Sequence, residues 1–177
     1  MLEEAGVPYR INKVRFATGD TRTSAFLGIN PNGHIPVLQD GSLRLFESLA
    51  INLHIARCHA PHLWPEGSES ELMQWTAWAL AELEGPHDAA NRTGSVIDAQ
   101  QLDCALQALA AGLDGREWLL GERFTVADLN TAAVLMRPRF RPIAVARADI
   151  RDWFQRCSDR PALRRAFARL ESPTPPR

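Results

Sequence analysis

The residues best suited to chemistry lie close together in the first third of the chain, at positions 30–56 (NPNGHIPVLQDGSLRLFESLAINLHIA). Glu47 and Ser48 come directly before a helical pattern. A carboxylate, a hydroxyl and free backbone N–H groups are therefore expected to meet at the start of a helix. This combination suits a ligand that carries both an amine and a carboxylate, and it predicts a binding site for a small molecule of that kind.

Pro36 interrupts a short apolar run and admits two interpretations. It can be the first residue of an edge strand, where a missing N–H group is tolerated. Alternatively, the Ile35–Pro36 bond is cis, as in ~5–6% of such bonds in folded proteins. A cis bond would turn the backbone N–H and C=O groups of Ile35 outward, where an extended peptide can pair with them.

The surrounding pattern predicts the elements that position these residues. Positions 30–33 (NPNG) favour a turn, and positions 35–38 predict a short strand. Asp40-Gly41 is a dipeptide that two-residue hairpin loops prefer. Leu43 and Leu45 then alternate with polar neighbours and predict the returning strand, which leads into the helix. Nearer the start, positions 10–16 (RINKVRF) give an imperfect strand pattern.

The order NPNGHIPVL, DG and FESLAI resembles the glutathione-binding core of the cytosolic glutathione transferases. In this resemblance Pro36 matches the cis-proline of the family, and Ile35 matches the residue whose backbone pairs with the cysteinyl unit of glutathione. Glu47 and Ser48 match the contact with the γ-glutamyl unit. His34 either touches the glycyl end of the ligand or is a solvated loop residue.

The second half of the chain has helical periodicity. An apolar stripe that includes Trp75 runs to Gly85-Pro86, which is expected to end or kink the helix. The pair Trp75 and Trp78 is interpreted as core, although the resemblance places the wall of the second-substrate site on this helix. A further stripe follows at Leu102, Ala105, Leu106, Leu109 and Leu113.

A helix-capping signal stands within WLLGERFTVADL. Thr125 is a natural N-cap, and Asp128 falls where a carboxylate reaches back to the N–H group of the cap residue. Phe124 and Leu129 flank this capping box as a hydrophobic staple. The motif is structural, and it resembles the capping box in the helical domain of the same family.

The resemblance covers nearly the whole chain and implies an α/β domain followed by an all-α domain. The expected organisation is a thioredoxin-like domain at 1–58, N-terminally truncated, a linker at 59–69, a helical domain at 70–171 and a tail at 172–177. The truncation is expected because the chain begins where the family pattern has the end of its first helix, so that strand one is missing.

Composition is that of a globular protein, with 45% apolar and 23% charged residues. No apolar run approaches the ~20 residues of a membrane span, so no membrane partner is expected. Acidic residues concentrate at 61–136 and basic ones at 137–177, which is interpreted as compensation within the fold or across a dimer and not as a nucleic-acid site. Cys58, Cys104 and Cys157 fit no metal or disulfide spacing, so a reducing cytoplasm and no metal are expected.

The expected function is conjugation of the thiol of glutathione, as co-substrate, to a small electrophile, by a homodimer. In the family the residue that activates the thiol lies ahead of the first helix, and no catalytic residue is identifiable in this chain. Tyr9 and Cys58 are not placed to replace it. The alternatives are a non-catalytic binding or regulatory protein of the same fold, or an inactive fragment of a full-length transferase.

Overall fold

The computed structural model describes residues 1–15 and 17–171, so the predicted tail at 172–177 lies outside the described residues. The elements are α1 (Leu2–Ala5), α2 (Ser24–Leu27), β1 (Val37–Asp40), β2 (Leu43–Phe46), α3 (Ser48–His59), α4 (Glu69–Trp78), α5 (Gly85–Thr93), α6 (Ala99–Leu113), α7 (Val126–Leu135), α8 (Arg141–Ala146), α9 (Ala148–Ser158) and α10 (Pro161–Glu171). Short 3₁₀ turns occupy Asp20–Arg22 and Pro61–Leu63, and a π-helical segment occupies Ala79–Glu84. An α/β unit thus precedes an all-helical one.

The first unit is built on an antiparallel hairpin, in which Val37 pairs with Phe46 and Asp40 pairs with Leu43. The loop is Gly41-Ser42, one residue later than the predicted Asp40-Gly41. Gly41 has φ 59°, and a glycine with positive φ at the first loop position is the pattern of a type II′ turn. The loop begins one residue later than predicted because Asp40 still pairs with Leu43 in the ladder.

The strand predicted at 35–38 begins two residues later, at Val37. Pro36 has no N–H group to donate to a ladder, and it therefore precedes the strand.

The strand predicted at 10–16 was wrong for residues 10–15, which form no strand in the structure, while residue 16 lies outside the described residues. A cleft of about 1230 Å³ separates this segment from β1, and it is lined by residues of both. Local sequence pattern suits an extended chain here, but a strand also needs a neighbour within hydrogen-bonding distance. The described residues form only the two-stranded sheet of β1 and β2, and residues 10–15 are not part of it.

The core lies in the helical unit and extends to α3. The largest fully buried apolar side chains include Ile55, Leu72, Leu83, Leu106, Leu109, Leu135, Ile150 and Phe154. Trp75 packs over Gly112 so closely that a Cβ atom at Gly112 would lie 2.3 Å from the indole. The two rings of Trp75 and Trp78 meet edge to face at 5.3 Å. Both are packed against the core, as the stripe indicated.

Gly85-Pro86 does not end the helical path. The chain passes from α4 through the π-helical segment Ala79–Glu84 directly into α5. Pro86 has no N–H group to donate to the preceding turn, and the π-helical segment occupies that turn. A local π-helical widening thus occurs where the sequence predicted a break.

Ion pairs tie the first helix to the last one. Arg160 donates to both carboxylate oxygens of Glu4, at 2.5 and 2.8 Å, and Arg165 and Arg169 both pair with Glu3. The α/β unit is therefore held to the helical unit at its beginning as well as through α3. No helix among the described residues is long and apolar enough to cross a membrane.

Amide hydrogen exchange should distinguish the two units. Residues Arg10, Ile11 and Asn12 lie in a segment that forms no strand, so their amides should open at a free energy near ~0 kcal/mol, whereas those of α6 and α7 should approach the free energy of global unfolding. Exchange followed by mass spectrometry or NMR measures both. Equal protection of residues 10–45 and of residues 102–136 would contradict this expectation.

Candidate functional site

The open end of the hairpin brings the predicted ligand-binding residues together. Val37 opposes Phe46 in the ladder. Ile35-Pro36, which precede Val37, and Glu47-Ser48, which follow Phe46, therefore lie at the same end of the hairpin. The site is thus formed by two short segments, each joined directly to a strand.

Ile35 presents its backbone to solvent at this end. The Ile35–Pro36 bond is cis, and Ile35 as a whole residue is 50% exposed although it is large and apolar. Within residues 1–15 and 17–171, neither the N–H nor the C=O group of Ile35 has a hydrogen-bond partner. Both groups are available to an extended ligand.

The loop that precedes Ile35 is held by Asn30, which is 1% exposed. Its Nδ2 donates to the carbonyl of His34 at 2.8 Å, and its Oδ1 accepts from the N–H of Asn32 at 3.0 Å. Gly33 has φ 63°, and a Cβ atom there would lie 3.0 Å from the carbonyl of Thr21. The sequence analysis placed Asn30 only in a turn. Its burial and its hydrogen bonds indicate that it positions the loop ahead of Ile35.

Glu47 precedes α3 with φ 70° and ψ 110°, a conformation that L residues rarely adopt. Its side chain is exposed and makes no capping hydrogen bond, while its carbonyl accepts from the N–H of Ile51 at 2.9 Å. The N–H groups of the first turn, from Ser48 to Ala50, have no acceptor among the described residues. A carboxylate, a hydroxyl and free donors are therefore adjacent at this helix start.

Asn130 of α7 fixes the start of α3 against the helical unit. This side chain is fully buried, and its Nδ2 donates to the carbonyl of Leu49 at 3.3 Å and to Thr76 Oγ1 at 3.0 Å. Its Oδ1 accepts from Asn52 Nδ2 at 2.8 Å. No local sequence pattern predicts this network, because the partners of Asn130 lie 54 to 81 positions away from it.

The capping box lies just ahead of Asn130. Asp128 Oδ2 accepts from the N–H and the hydroxyl of Thr125, at 2.9 and 3.0 Å, and Thr125 Oγ1 accepts from Ala127. Asp128 Oδ1 accepts from Leu119 N–H and from Trp153 Nε1, both at 2.9 Å. The carboxyl is fully buried, and this burial raises its pKa above the ordinary value, with the hydrogen bonds acting in the opposite direction.

Glu84, at the end of the π-helical segment, is a second carboxylate that interacts electrostatically with Glu47. Burial raises the pKa of Glu84, and the negative charges of Asp88 and Glu47 act in the same direction. Arg137 of the helical unit pairs with both Glu84 and Asp88. Sequence reasoning missed Arg137, which lies in an ordinary basic stretch. Arg137 thus offsets the charge of these two carboxylates.

The side chains that could activate a bound thiol are either hydrogen-bonded to another residue, buried in the core or distant from the start of α3. The hydroxyl of Tyr9 donates to Glu3 Oε1 at 2.7 Å, and burial, together with this carboxylate, raises the pKa of Tyr9. Cys58 lies near the end of α3 opposite to Glu47. Cys157 is buried in the core, which raises the pKa of its thiol well above the ordinary value.

The fold and the site define a two-domain protein in which a thioredoxin-like domain precedes a helical domain. Residues 1–57 match the family described as glutathione S-transferase, N-terminal domain, and residues 86–161 match glutathione S-transferase, C-terminal domain. The chain belongs to the glutathione S-transferase family.

Individual relatives match along most of their length. The chain is 30% identical over 203 residues to glutathione S-transferase 3 of Zea mays, with 99% of this chain and 89% of the relative covered. It is also 30% identical over 190 residues to the disulfide-bond oxidoreductase YfcG of Escherichia coli (strain K12), covering 96% and 88%. A structure of glutathione S-transferase I with lactoylglutathione superposes with a TM-score of 0.73 at 28% identity, covering 94% of this chain and 90% of that one.

Replacement of Asp128 should destabilise the whole protein. Asp128→Ala leaves the N–H groups of Leu119 and Thr125 and the indole N–H of Trp153 buried without an acceptor, which is expected to cost about 3–5 kcal/mol. The measurement is the denaturant midpoint with its slope. Asp98→Ala, which removes the exposed N-cap of α6, is the matched control and should cost about 1 kcal/mol. A wild-type midpoint for Asp128→Ala would show that the box contributes nothing.

Proposed function

We propose that this protein binds glutathione at the open end of the hairpin and conjugates its thiol to an electrophilic small molecule. The observation that carries the proposal is the exposed, unpaired backbone of Ile35 beside the free first turn of α3, in a chain of the glutathione S-transferase family. The two segments supply the two kinds of contact that a tripeptide with an amine and carboxylates requires.

Each part of the ligand has a chemical counterpart in this arrangement. The N–H and C=O groups of Ile35 would pair with the backbone of the cysteinyl unit, as an added strand does. The γ-glutamyl unit would place its carboxylate on Ser48 and the free N–H groups of α3, and its amine against Glu47. His34, which is exposed and next to Ile35, would reach the glycyl carboxylate.

The proposed reaction is a nucleophilic substitution or addition. The thiol loses its proton to solvent, and the thiolate sulfur forms a C–S bond. In a substitution the leaving group departs with the electron pair of the broken bond. In an addition the electron pair of the broken π bond moves to the neighbouring atom, which takes up a proton from solvent. Sulfur reacts as the thiolate, so the rate depends on how far the pKa of the bound thiol is lowered. The first-turn donors of α3 favour negative charge nearby.

We also propose an oligomeric state and a cellular compartment for this protein. A homodimer is the expected state, and exposed apolar side chains such as Phe46 and Met73 offer surface that a second subunit can cover. The three free cysteines favour a reducing compartment, and a cytoplasmic location follows as part of the proposal.

Replacing either member of the helix-start pair should weaken glutathione binding without unfolding the protein. A charge-assisted contact contributes ~1.5–3 kcal/mol, so Glu47→Ala and Ser48→Ala are each expected to raise the Kd about tenfold or more. Isothermal titration calorimetry measures the affinity, and circular dichroism checks the fold. Glu66→Ala, at an exposed position in the connection to α4, is the matched control. Unchanged affinity in both variants would place the ligand elsewhere, and no binding by the wild-type chain would refute the proposal.

Turnover of a chromogenic aryl halide with glutathione should be slow even where binding is saturated, because no thiol-activating residue is identified among the described residues and Tyr9 is already bound to Glu3. Tyr9→Phe should leave that rate unchanged, since the hydroxyl is already bound to Glu3. If Tyr9→Phe abolishes turnover while calorimetry shows intact glutathione binding, Tyr9 is the activating residue and this assignment is wrong. Binding with no turnover above the uncatalysed rate would favour a non-catalytic glutathione-binding protein.

A further inference from the structure

A cluster of metal-binding side chain types lies at the other end of the hairpin. Asp40 ends β1, and His54 and His59 lie on the second half of α3. Asp40 Oδ2 lies 3.0 Å from His54 Nε2 and 2.6 Å from His59 Nε2. The three ligand atoms all lie within 4.8 Å of one another. Two imidazole nitrogens and a carboxylate oxygen thus converge on one point.

The orientation of His54 is fixed from its far side. Its Nδ1 lies 3.7 Å from the thiol of Cys58, one helical turn further along α3. Histidines that bind metals commonly use one ring nitrogen as ligand and anchor the other by a hydrogen bond. With Nδ1 occupied in this way, Nε2 is the nitrogen that points to Asp40.

We propose that Asp40, His54 and His59 form a binding site for a divalent transition-metal ion, with Zn²⁺ as the cation that this set fits best. Nitrogen and carboxylate ligands at about 2.0–2.2 Å are those of zinc, and two histidines with one carboxylate leave a fourth position for water. Mg²⁺ and Ca²⁺ prefer oxygen ligands, so the imidazoles disfavour them. The ion would take the place of the protons that now join Asp40 to the two rings.

The three side chains already lie close together and can be reached from solvent. All three are partly exposed, with side-chain exposures of 39%, 20% and 36% for Asp40, His54 and His59, so an ion can enter from solvent. The bound metal would link the hairpin loop to the last turn of α3.

The test is titration of the full chain with ZnCl₂ after removal of metal by a chelator. Calorimetry should show one ion bound per chain. Asp40→Asn and His54→Ala should each weaken binding by more than about tenfold, because even indirect partners of metal ligands contribute about 10–100-fold. Co²⁺ provides a second readout, since a tetrahedral site gives visible absorption that both variants should lose.

Two control variants test the ligand set. His62→Ala removes a histidine just beyond α3, and Cys58→Ser removes the thiol beside His54. Both should retain one bound Zn²⁺, with His62→Ala unchanged in affinity. Loss of binding in either control would overturn this ligand set, as would unchanged affinity in Asp40→Asn. Absence of Zn²⁺ and Co²⁺ binding by the folded wild-type chain would show that the cluster is only a hydrogen-bonded one.

Discussion

The buried carboxylate of Asp128 is the interaction on which the rest of the structure depends. It joins three parts of the chain that are not adjacent in sequence: the segment at Leu119, the N-cap Thr125 of α7 and Trp153 of α9. Removing a carboxylate from water is unfavourable, and the raised pKa shows that its four hydrogen bonds offset this cost only in part. These hydrogen bonds give α7 a defined start, because they hold its N-cap to the segment at Leu119 and to α9.

That fixed helix transmits the constraint to the ligand site. Asn130 lies two residues beyond Asp128 and holds the carbonyl of Leu49 together with Asn52. The first turn of α3 is therefore positioned by the helical unit as well as by the sheet, which has only β1 and β2 within the described residues. A small hairpin can thus present a defined site even though residues 10–15 pair with no strand.

Predictions from the sequence succeeded where the causes are local and failed where they are not. The turn at positions 30–33, the helix start after Glu47 and the arrangement of Thr125 and Asp128 all follow from residues within a few positions of one another. The strand at 10–16 could not be settled this way, because pairing depends on a distant neighbour. The network of Asn130 and the cluster at Asp40 were missed for the same reason, since their members meet only after the chain has folded.

The hairpin and α3 behave as one unit with a site proposed at each end. β1 begins beside Pro36 and ends at Asp40, while α3 begins at Ser48 and ends at His59. A metal ion on Asp40 would restrain the hairpin relative to α3, and the segments around Pro36 and Ser48 are continuous with those two elements. Since ordering of loops opposes ligand binding, restraint at one end lowers the entropic cost of binding at the other. If both proposals hold, the two sites would be coupled through this shared pair of elements, without direct contact between their ligands.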